Sequence, residues 1–190
     1  MMKKILGLTI AFMLLISMGG IGTWAYFQDT ETSTGNVLTA GTLDLKTDNV
    51  DGVTQTLYTS NLKPGDDTSG SITLKNTGSV AGSTLDLVFS YIESDNSFNS
   101  VDKSAYDTAT VIELTTLNLG GSSLLSSVSD ANLNGYRDIE DLKNADLTGQ
   151  SGINPSATQD FTITVQLRGD TTADFQSDGI NITITFTLNQ

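Results

Sequence analysis

Residues 180–188 read Ile-Asn-Ile-Thr-Ile-Thr-Phe-Thr-Leu, and residues 161–167 read Phe-Thr-Ile-Thr-Val-Gln-Leu. In both stretches apolar and polar side chains alternate, and this period of two predicts a β-strand with one buried face. Isoleucine, valine, threonine and phenylalanine are also the residues that strands favour. The two stretches therefore predict an all-β protein.

The same strand signal recurs along the chain at residues 42–46, 53–58, 71–75, 84–92 and 110–119. Turn-forming residues, including Pro64-Gly65, separate these stretches, and neither proline falls within one of them. Seven or eight short strands at this spacing predict a jelly-roll β-sandwich over residues 42–190. Residues 93–107 are expected to form a loop.

The composition excludes several classes of function. The chain has no cysteine, so no disulfide framework exists, and no histidine, so an HExxH zinc site is excluded. The net charge is −13 and no basic patch is visible, which argues against a nucleic-acid partner. No pair of carboxylates and no activated serine stands out among the many acidic and hydroxyl residues. We therefore do not predict an enzyme.

The N-terminus has the anatomy of a cleavable signal peptide. Lys3 and Lys4 precede an apolar run over residues 5–18, and cleavage between Ala25 and Tyr26 would place small residues at the −3 and −1 positions. The apolar run is shorter than the roughly 20 residues of a membrane span. An uncleaved anchor is the alternative. We predict a signal peptide over residues 1–25, an extracellular protein, and contact with the membrane only during export.

The segment that follows, residues 26–41, is polar and rich in threonine, and it contains no proline. Its apolar residues are Tyr26, Phe27, Val37 and Leu38. Two interpretations remain open. The segment is either a mobile tail or an extended donor strand that uses these four residues as anchors in a partner.

Residues 122–148 lack strand character and are predicted to be an insertion with a short helix over residues 139–143. Residues 130–135 match D-x-[DN]-x-[DN]-G, the start of a 12-residue calcium loop. The predicted ligands are Asp130, Asn132, Asn134, the carbonyl of Tyr136, Asp138 and Asp141. Aspartate in place of glutamate at position 12, with two asparagine ligands, predicts a structural Ca²⁺ of weak affinity. The alternative is a solvated acidic turn.

A sequon for N-glycosylation is present at Asn181-Ile182-Thr183. It lies within a predicted strand. Modification therefore requires that the Asn181 side chain face solvent.

Two regions carry a resemblance to a known family. Tyr26 to Asn36, followed by Ala40 to Leu45, resembles the cleavage region of the TasA/camelysin family, and residues 62–66 and 74–79 resemble it more loosely. The resemblance implies a leader for a SipW-type signal peptidase and a jelly-roll fold. It also implies a secreted subunit of a biofilm matrix or of fibres like archaeal bundling pili. The camelysin branch is associated with metalloprotease activity.

The function expected from these observations is that of a structural subunit of an extracellular filament, pilus or matrix. Its partner would be a second copy of the chain, joined head to tail by donor-strand complementation. The alternative is a monomeric, calcium-stabilised cell-surface module that binds a carbohydrate or a protein.

Overall fold

The computed structural model describes residues 28–29, 43–48, 55–59, 62–94, 102–175 and 178–190. Its strands are β1 (Gln28–Asp29), β2 (Leu45–Thr47), β3 (Gln55–Tyr58), β4 (Asp67–Asn76), β5 (Thr84–Glu93), β6 (Ile112–Leu119), β7 (Ser122–Ser123), β8 (Leu147–Ser151), β9 (Thr158–Leu167) and β10 (Ile180–Asn189). Its α-helices are α1 (Ala105–Val111) and α2 (Ile139–Asn144), and short 3-10 turns lie at Leu125–Ser127 and Ala173–Phe175.

The strands form two antiparallel sheets of five strands each. In sheet I the order is β1-β10-β5-β8, with β3 paired to β10, and in sheet II it is β2-β4-β9-β6-β7. Apart from β7, each strand from β2 to β10 lies in the opposite sheet to the strand before it. This wrapping confirms the predicted all-β sandwich.

The core lies between the sheets and follows the alternation in the sequence. In β9 and β10 the isoleucine, valine and phenylalanine positions are buried and most of the threonines between them are partly exposed. The ring of Phe161 lies 5.3 Å from that of Phe186 and 6.3 Å from that of Phe89, so aromatic contacts join the sheets. The longest registers pair β10 with β5 and β4 with β9.

Residues 74–79, one of the two stretches that resemble the family more loosely, comprise the end of β4 and the turn that follows it. The buried Asn76 stabilises this turn. The Asn76 side chain donates to the carbonyls of Val80 and Ile153 at 2.8 and 2.9 Å and accepts from Gly78 N at 2.9 Å. Nearby, a Cβ on Gly152 would lie 2.1 Å from a backbone oxygen of the facing turn. The role of this motif is therefore structural.

Residues 62–66, the other looser point of resemblance, form a tight turn that leads into β4. Gly65 has a φ of +92°, a conformation that glycine adopts without strain. Asp66 closes the turn, because its carboxylate accepts from Lys63 N at 3.0 Å and its own N–H donates to the Lys63 carbonyl at 2.8 Å.

Three local features differ from the sequence prediction. Residues 105–111 form α1 instead of a loop and the start of a strand, because Ser104 caps the helix by accepting from Asp107 N at 3.2 Å. Strand β4 begins at Asp67, four residues earlier than expected. The predicted insertion also contributes β8 to sheet I, whereas its short helix, α2, is where the sequence placed it.

Several predictions lie outside the described residues. These are the signal peptide over 1–25, the cleavage site at Ala25 and Tyr26, and the anchor residues Tyr26, Phe27, Val37 and Leu38. Within the ranges that the structure describes, no helix is long and apolar enough to cross a membrane.

Candidate functional site

Two regions stand out as candidate sites. The first, here called the cap, consists of α1, residues 128–138 and α2, which lie together at one end of the sandwich. The second, here called the flank, is the side of the sandwich where β3 of sheet I faces β4 of sheet II. The cap contains the predicted calcium ligands, and the flank contains an apolar cavity.

In the cap, two of the predicted ligands begin helix α2. Asp138 is the N-cap residue, and its Oδ1 accepts from Asp141 N at 3.0 Å, while Asp141 Oδ2 accepts from Asp138 N at 3.2 Å. This reciprocal pair is a capping box with aspartate in the place usually held by glutamate. Asp141 Oδ1 also accepts from Ala131 N at 2.8 Å, which ties the start of the loop to the helix.

The other ligand positions shape the loop. Asp130 accepts from Asn134 N and Gly135 N at 3.1 and 2.9 Å, and Asn134 Oδ1 accepts from Tyr136 N at 2.9 Å. Gly135 has a φ of +89°, as a sharp turn at position 6 requires. Leu133 also has a positive φ, and its side chain is 85% exposed. The sequence pattern therefore produces a tightly bonded loop, with the predicted ligands within 12 residues.

Two carboxylates of this loop are buried, Asp138 at 0% exposure and Asp141 at 2%. The donors to Asp138 Oδ2 are neutral amides, from Asn132 Nδ2 at 2.8 Å and Asn134 Nδ2 at 2.7 Å. Buried charges are usually paired or bound to metal, and carboxylate and amide oxygens are ligands that Ca²⁺ prefers. Within the described ranges, however, no group of three acidic side chains is arranged to hold a metal ion.

A polar cluster fastens the cap to sheet I. The Tyr91 hydroxyl donates to Glu140 Oε2, and Lys143 Nζ lies 3.5 Å from that carboxylate and 4.8 Å from the centre of the Tyr91 ring. Burial and the bond to Glu140 raise the pKa of the Tyr91 hydroxyl. Burial alone would raise the pKa of Glu140, but hydrogen bonds from Tyr91 and Asn144 and the charge of Lys143 lower it below its ordinary value.

Tyr136 is the predicted carbonyl ligand at position 7, and its ring packs against a residue outside the loop. The guanidinium of Arg168 lies 4.1 Å from the centre of its ring, and Arg168 also pairs with Asp170 at 3.0 Å. Arg137 Nε donates to the Val128 carbonyl at 2.8 Å, across the base of the loop. Each of these contacts orders the loop, and none of them leaves a basic group poised for catalysis.

The flank is organised differently, around an apolar cavity of about 60 Å³ between the sheets. The residues that line it come from β3, β4, β9 and β10: Leu57, Gly70, Ser71, Ile72, Phe161, Ile163 and Ile184. Gly70 lies two residues before Ile72 on β4, so both are on the inward face of the strand. Gly70 pairs with Ile163 of β9. A Cβ on Gly70 would make ordinary contacts, 3.5 Å to Leu57 and 3.6 Å to Ile163, so the missing side chain leaves space in the core.

Part of the outer edge of β4, the strand beside this cavity, has no paired strand among the residues that the structure describes. Strand β2 pairs only with Leu74–Asn76 of β4, and Asp48 exchanges bonds of 2.9 and 3.0 Å with Thr73. Because backbone groups alternate in direction along a strand, Ser69 and Ser71 also point their N–H and C=O groups outward. On its other side this stretch pairs with β9, and no strand in the described part of the chain pairs with its outer edge.

The sequence prediction did not identify the flank. The available signal was the glycine at position 70, an inward position of a strand whose neighbours at 72 and 74 are apolar. A glycine in a strand often marks a close approach or a place where another chain fits. Its meaning depends on Leu57 and Ile184, which are distant in sequence.

Two further sites predicted from sequence lie in sheet I. Of the N-terminal segment, Gln28–Asp29 is described, and it forms β1, paired with Leu188 and Asn189 of β10. Asn181 lies on β10 between β3 and β5, and its side-chain oxygen is buried without a hydrogen-bond partner. Glycosylation of Asn181 stays a prediction, and this position indicates that it would precede folding.

The class of protein follows from these observations. It is an antiparallel β-sandwich whose capped end is held by its own polar network and whose flank is apolar. Part of the strand edge in the flank has no partner among the described residues. The family model described as camelysin metallo-endopeptidase matches residues 1–190, so the chain belongs to the camelysin family, which is also the TasA family. The resemblance stated from the sequence is thereby confirmed. A search of curated proteins found no match.

Family membership indicates a secreted or cell-surface protein of the biofilm matrix. The family's description includes metallo-endopeptidase, while its TasA members are structural. In this chain no histidine exists to build an HExxH site.

Proposed function

We propose that the mature chain is a structural subunit of an extracellular filament that polymerises head to tail by donor-strand complementation. The observation that carries the proposal is the flank, where an edge of β4 without a partner in the described part of the chain lies beside an apolar cavity. An extended segment that adds to this edge gains backbone hydrogen bonds and places alternate side chains over the cavity. The proposed acceptor is therefore the edge of β4 from Asp67 to Ser71.

The proposed donor is residues 26–39 of a neighbouring copy. Threonine and valine favour an extended backbone, and no proline interrupts the row of N–H groups. The cavity is small, so it suits one aliphatic side chain, either Val37 or Leu38, better than the rings of Tyr26 and Phe27. Gln28–Asp29 forms a strand with β10 of its own chain, and donation of the whole segment to a neighbour would have to replace this pairing.

A donor at one end of the sequence and an acceptor elsewhere on the surface make a heterologous contact. Such a contact propagates as an open filament if its rotation does not close a ring. Removal of the signal peptide before Tyr26 would free the donor, so that export and assembly are coupled. N-terminal sequencing of the exported protein should begin within about three residues of Tyr26, as leader anatomy predicts, and recovery of Met1 would contradict this coupling.

Deletion of residues 26–39 tests the donor. The truncated chain should keep a cooperative unfolding transition and form no filaments in negative-stain microscopy, while the full mature chain forms them. A synthetic peptide of residues 26–39 should stop growth of the full chain, and a peptide with both Val37 and Leu38 changed to Asp should not. Filaments of normal yield from the truncated chain would rule out this mechanism.

We also propose that the loop from Asp130 to Asp141 binds one structural Ca²⁺. The support is the ligand pattern, the turn at Gly135, and the burial of Asp138 and Asp141 with neutral partners. The ion would neutralise these carboxylates and brace the cap. The site residues fit calcium in the chemistry of their oxygens, and their role is to hold the loop rather than to catalyse a reaction.

Asp130→Asn is the cleanest test of calcium, because Asp130 lies outside the capping box and asparagine keeps an acceptor for the loop. Millimolar Ca²⁺ should raise the melting temperature of the wild type, and chelator should remove the gain. In chelator the variant should melt slightly below the wild type, because asparagine keeps only one of the two acceptor oxygens that Asp130 offers the loop, and it should gain nothing from Ca²⁺. Equal melting of the wild type under both conditions would contradict the ion.

The alternative function is a monomeric surface module stabilised by the same ion, which binds a carbohydrate or a protein. Size separates the two functions, since a processed chain that remains a monomer in Ca²⁺ at high concentration would favour the module. Peptidase activity is not part of the proposal. Its absence is tested by incubating the processed protein with an unfolded protein substrate, with and without added zinc.

A further inference from the structure

We propose that the outer face of sheet I pairs with the same face of a second copy about a two-fold axis. Its centre, here called the neutral strip, consists of Val88, Ser90 and Ile92 on β5 and Asn181, Thr183 and Thr185 beside them on β10. This pairing uses a different surface from the flank and does not depend on the proposed filament.

The first observation is exposure of apolar side chains on β5. Val88 is 57% exposed and Ile92 is 66% exposed, and both point away from the core, as does Ser90 between them. An isolated exposed aliphatic residue needs no explanation, but two on one strand, on an open sheet face, indicate a contact surface. Branched side chains at these positions also favour the strand itself.

The second observation is charge. The chain has a net charge of −13, which opposes the approach of two copies. The six positions of the neutral strip are uncharged, and the nearest charge on the same face of β5 is Asp86, which accepts from Gly149 N and Asn189 Nδ2. The outer face of sheet II includes Lys75, Glu113 and Asp160. The neutral strip is therefore a surface where a second copy meets little repulsion.

The third observation is self-complementarity, which fits a second copy as the partner. Val88 and Ile92 are symmetric about Ser90 and lie about 13 Å apart along the strand. A two-fold axis through Ser90, perpendicular to the strands, places Val88 of one copy over Ile92 of the other, and Ser90 over Ser90. The same axis places Thr183 over Thr183 and Asn181 over Thr185, so one operation matches both strands.

The contact that results is small. Four aliphatic side chains leave water, and the surrounding threonine and serine hydroxyls provide a polar rim. Such a patch predicts weak pairing of free subunits, which becomes strong only where many copies are held in a row. The experiment must therefore detect transient pairs.

The absence of cysteine makes a specific test available, because each introduced cysteine is the only thiol in the chain. Ser90→Cys is compared with Ser122→Cys, an exposed serine on β7 of sheet II, using a short bismaleimide on the full mature chain. We expect about tenfold more cross-linked dimer from Ser90→Cys, since pairing raises the local thiol concentration. Equal yields from the two variants would overturn the proposal.

A charge swap separates specific pairing from collision. In the Ser90→Cys background, V88D together with I92D should abolish the cross-link, and so should V88K together with I92K. Mixing the two variants should restore a mixed dimer, because the axis places position 88 of one chain over position 92 of the other. Failure of the mixture to cross-link, with both variants showing the unfolding midpoint of the Ser90→Cys protein, would also overturn it.

The outcome is independent of the filament. Cross-linked dimers without filaments would support the pairing and contradict the donor-strand proposal. Filaments without cross-links at position 90 would support the donor-strand proposal and contradict the pairing.

Discussion

The cap and the flank differ in how completely their own residues satisfy hydrogen bonds and fill space. In the cap, Asp138 and Asp141 satisfy one another's backbone N–H groups, and the loop satisfies the rest. In the flank, the edge of β4 from Asp67 to Ser71 has no partner strand within the described ranges, and Gly70 leaves a space in the core. The difference separates a region whose hydrogen bonds are made among its own residues from a region where a strand edge has no partner among the described residues.

The largest effect is expected where the cap is broken. Asp138→Ala removes the N-cap of α2 and leaves two asparagine amides and Asp141 N without their acceptor. Loss of a buried, charge-assisted network of this kind costs about 2–4 kcal/mol of unfolding free energy. Urea denaturation measures it in chelator, so that calcium does not contribute.

Asp146→Ala is the matched control for that change. Asp146 also accepts two hydrogen bonds, from Thr148 N and Thr148 Oγ1, and these lower its pKa, but it is fully exposed. Its removal should leave the unfolding midpoint nearly unchanged. If Asp138→Ala changes the unfolding midpoint as little as Asp146→Ala does, the hydrogen bonds of Asp138 do not stabilise the cap.

A smaller effect, of opposite sign, is expected in the flank. Gly70→Ala adds a methyl group that makes ordinary contacts with Leu57 and Ile163. Replacement of glycine within a strand should raise the unfolding free energy by about 0.5–1 kcal/mol. Under the donor-strand proposal the same methyl group occupies the cavity and slows filament growth, so stability and assembly move in opposite directions.

Gly121→Ala provides the control, because Gly121 has open space around it but a φ of +82°. It should lose stability through backbone strain and leave assembly of the surviving folded protein intact. A Gly70→Ala variant that is less stable than the wild type would show that the cavity beside Gly70 has no room for a methyl group.

The smallest effect concerns pH at the junction of the cap with sheet I. The pKa of Glu140 is lower in the folded protein than its ordinary value of 4.5, so its ionised form stabilises the fold. That stabilisation is complete above the ordinary pKa and is lost as pH falls through the lowered one. Glu140→Gln should therefore reduce stability at pH 7 and show a smaller difference from the wild type near pH 3, measured by thermal unfolding.

The reverse pattern, with a larger difference in acid than at neutral pH, would mean that Glu140 is not held in its charged form. Tyr91→Phe serves as a companion variant, since it removes the hydroxyl donor and keeps the ring under Lys143. It should reproduce part of the Glu140→Gln effect.

The elements predicted from sequence were those whose signals are local. The strands at residues 161–167 and 180–188 alternate so regularly that only a sheet with one buried face suits them. Helix α2 was predictable because Asp138 and Asp141 carry their own capping signal, three residues apart. Helix α1 was missed because Thr108, Thr110 and Val111 are β-branched, and burial of Thr108 and Ala109 overrides that preference.

By itself the sequence determined the all-β class, most of the strands and the absence of an HExxH motif, because alternation and composition are properties of neighbouring residues. It also determined the family, because the motifs that identify it are short and contiguous. Only the tertiary structure decided that Gly70 borders a cavity, that Asp138 and Asp141 are buried together, and that Val88 and Ile92 lie exposed on the outer face of sheet I. Each of these depends on residues far apart in the chain, which the pairing of β3, β5 and β10 brings together.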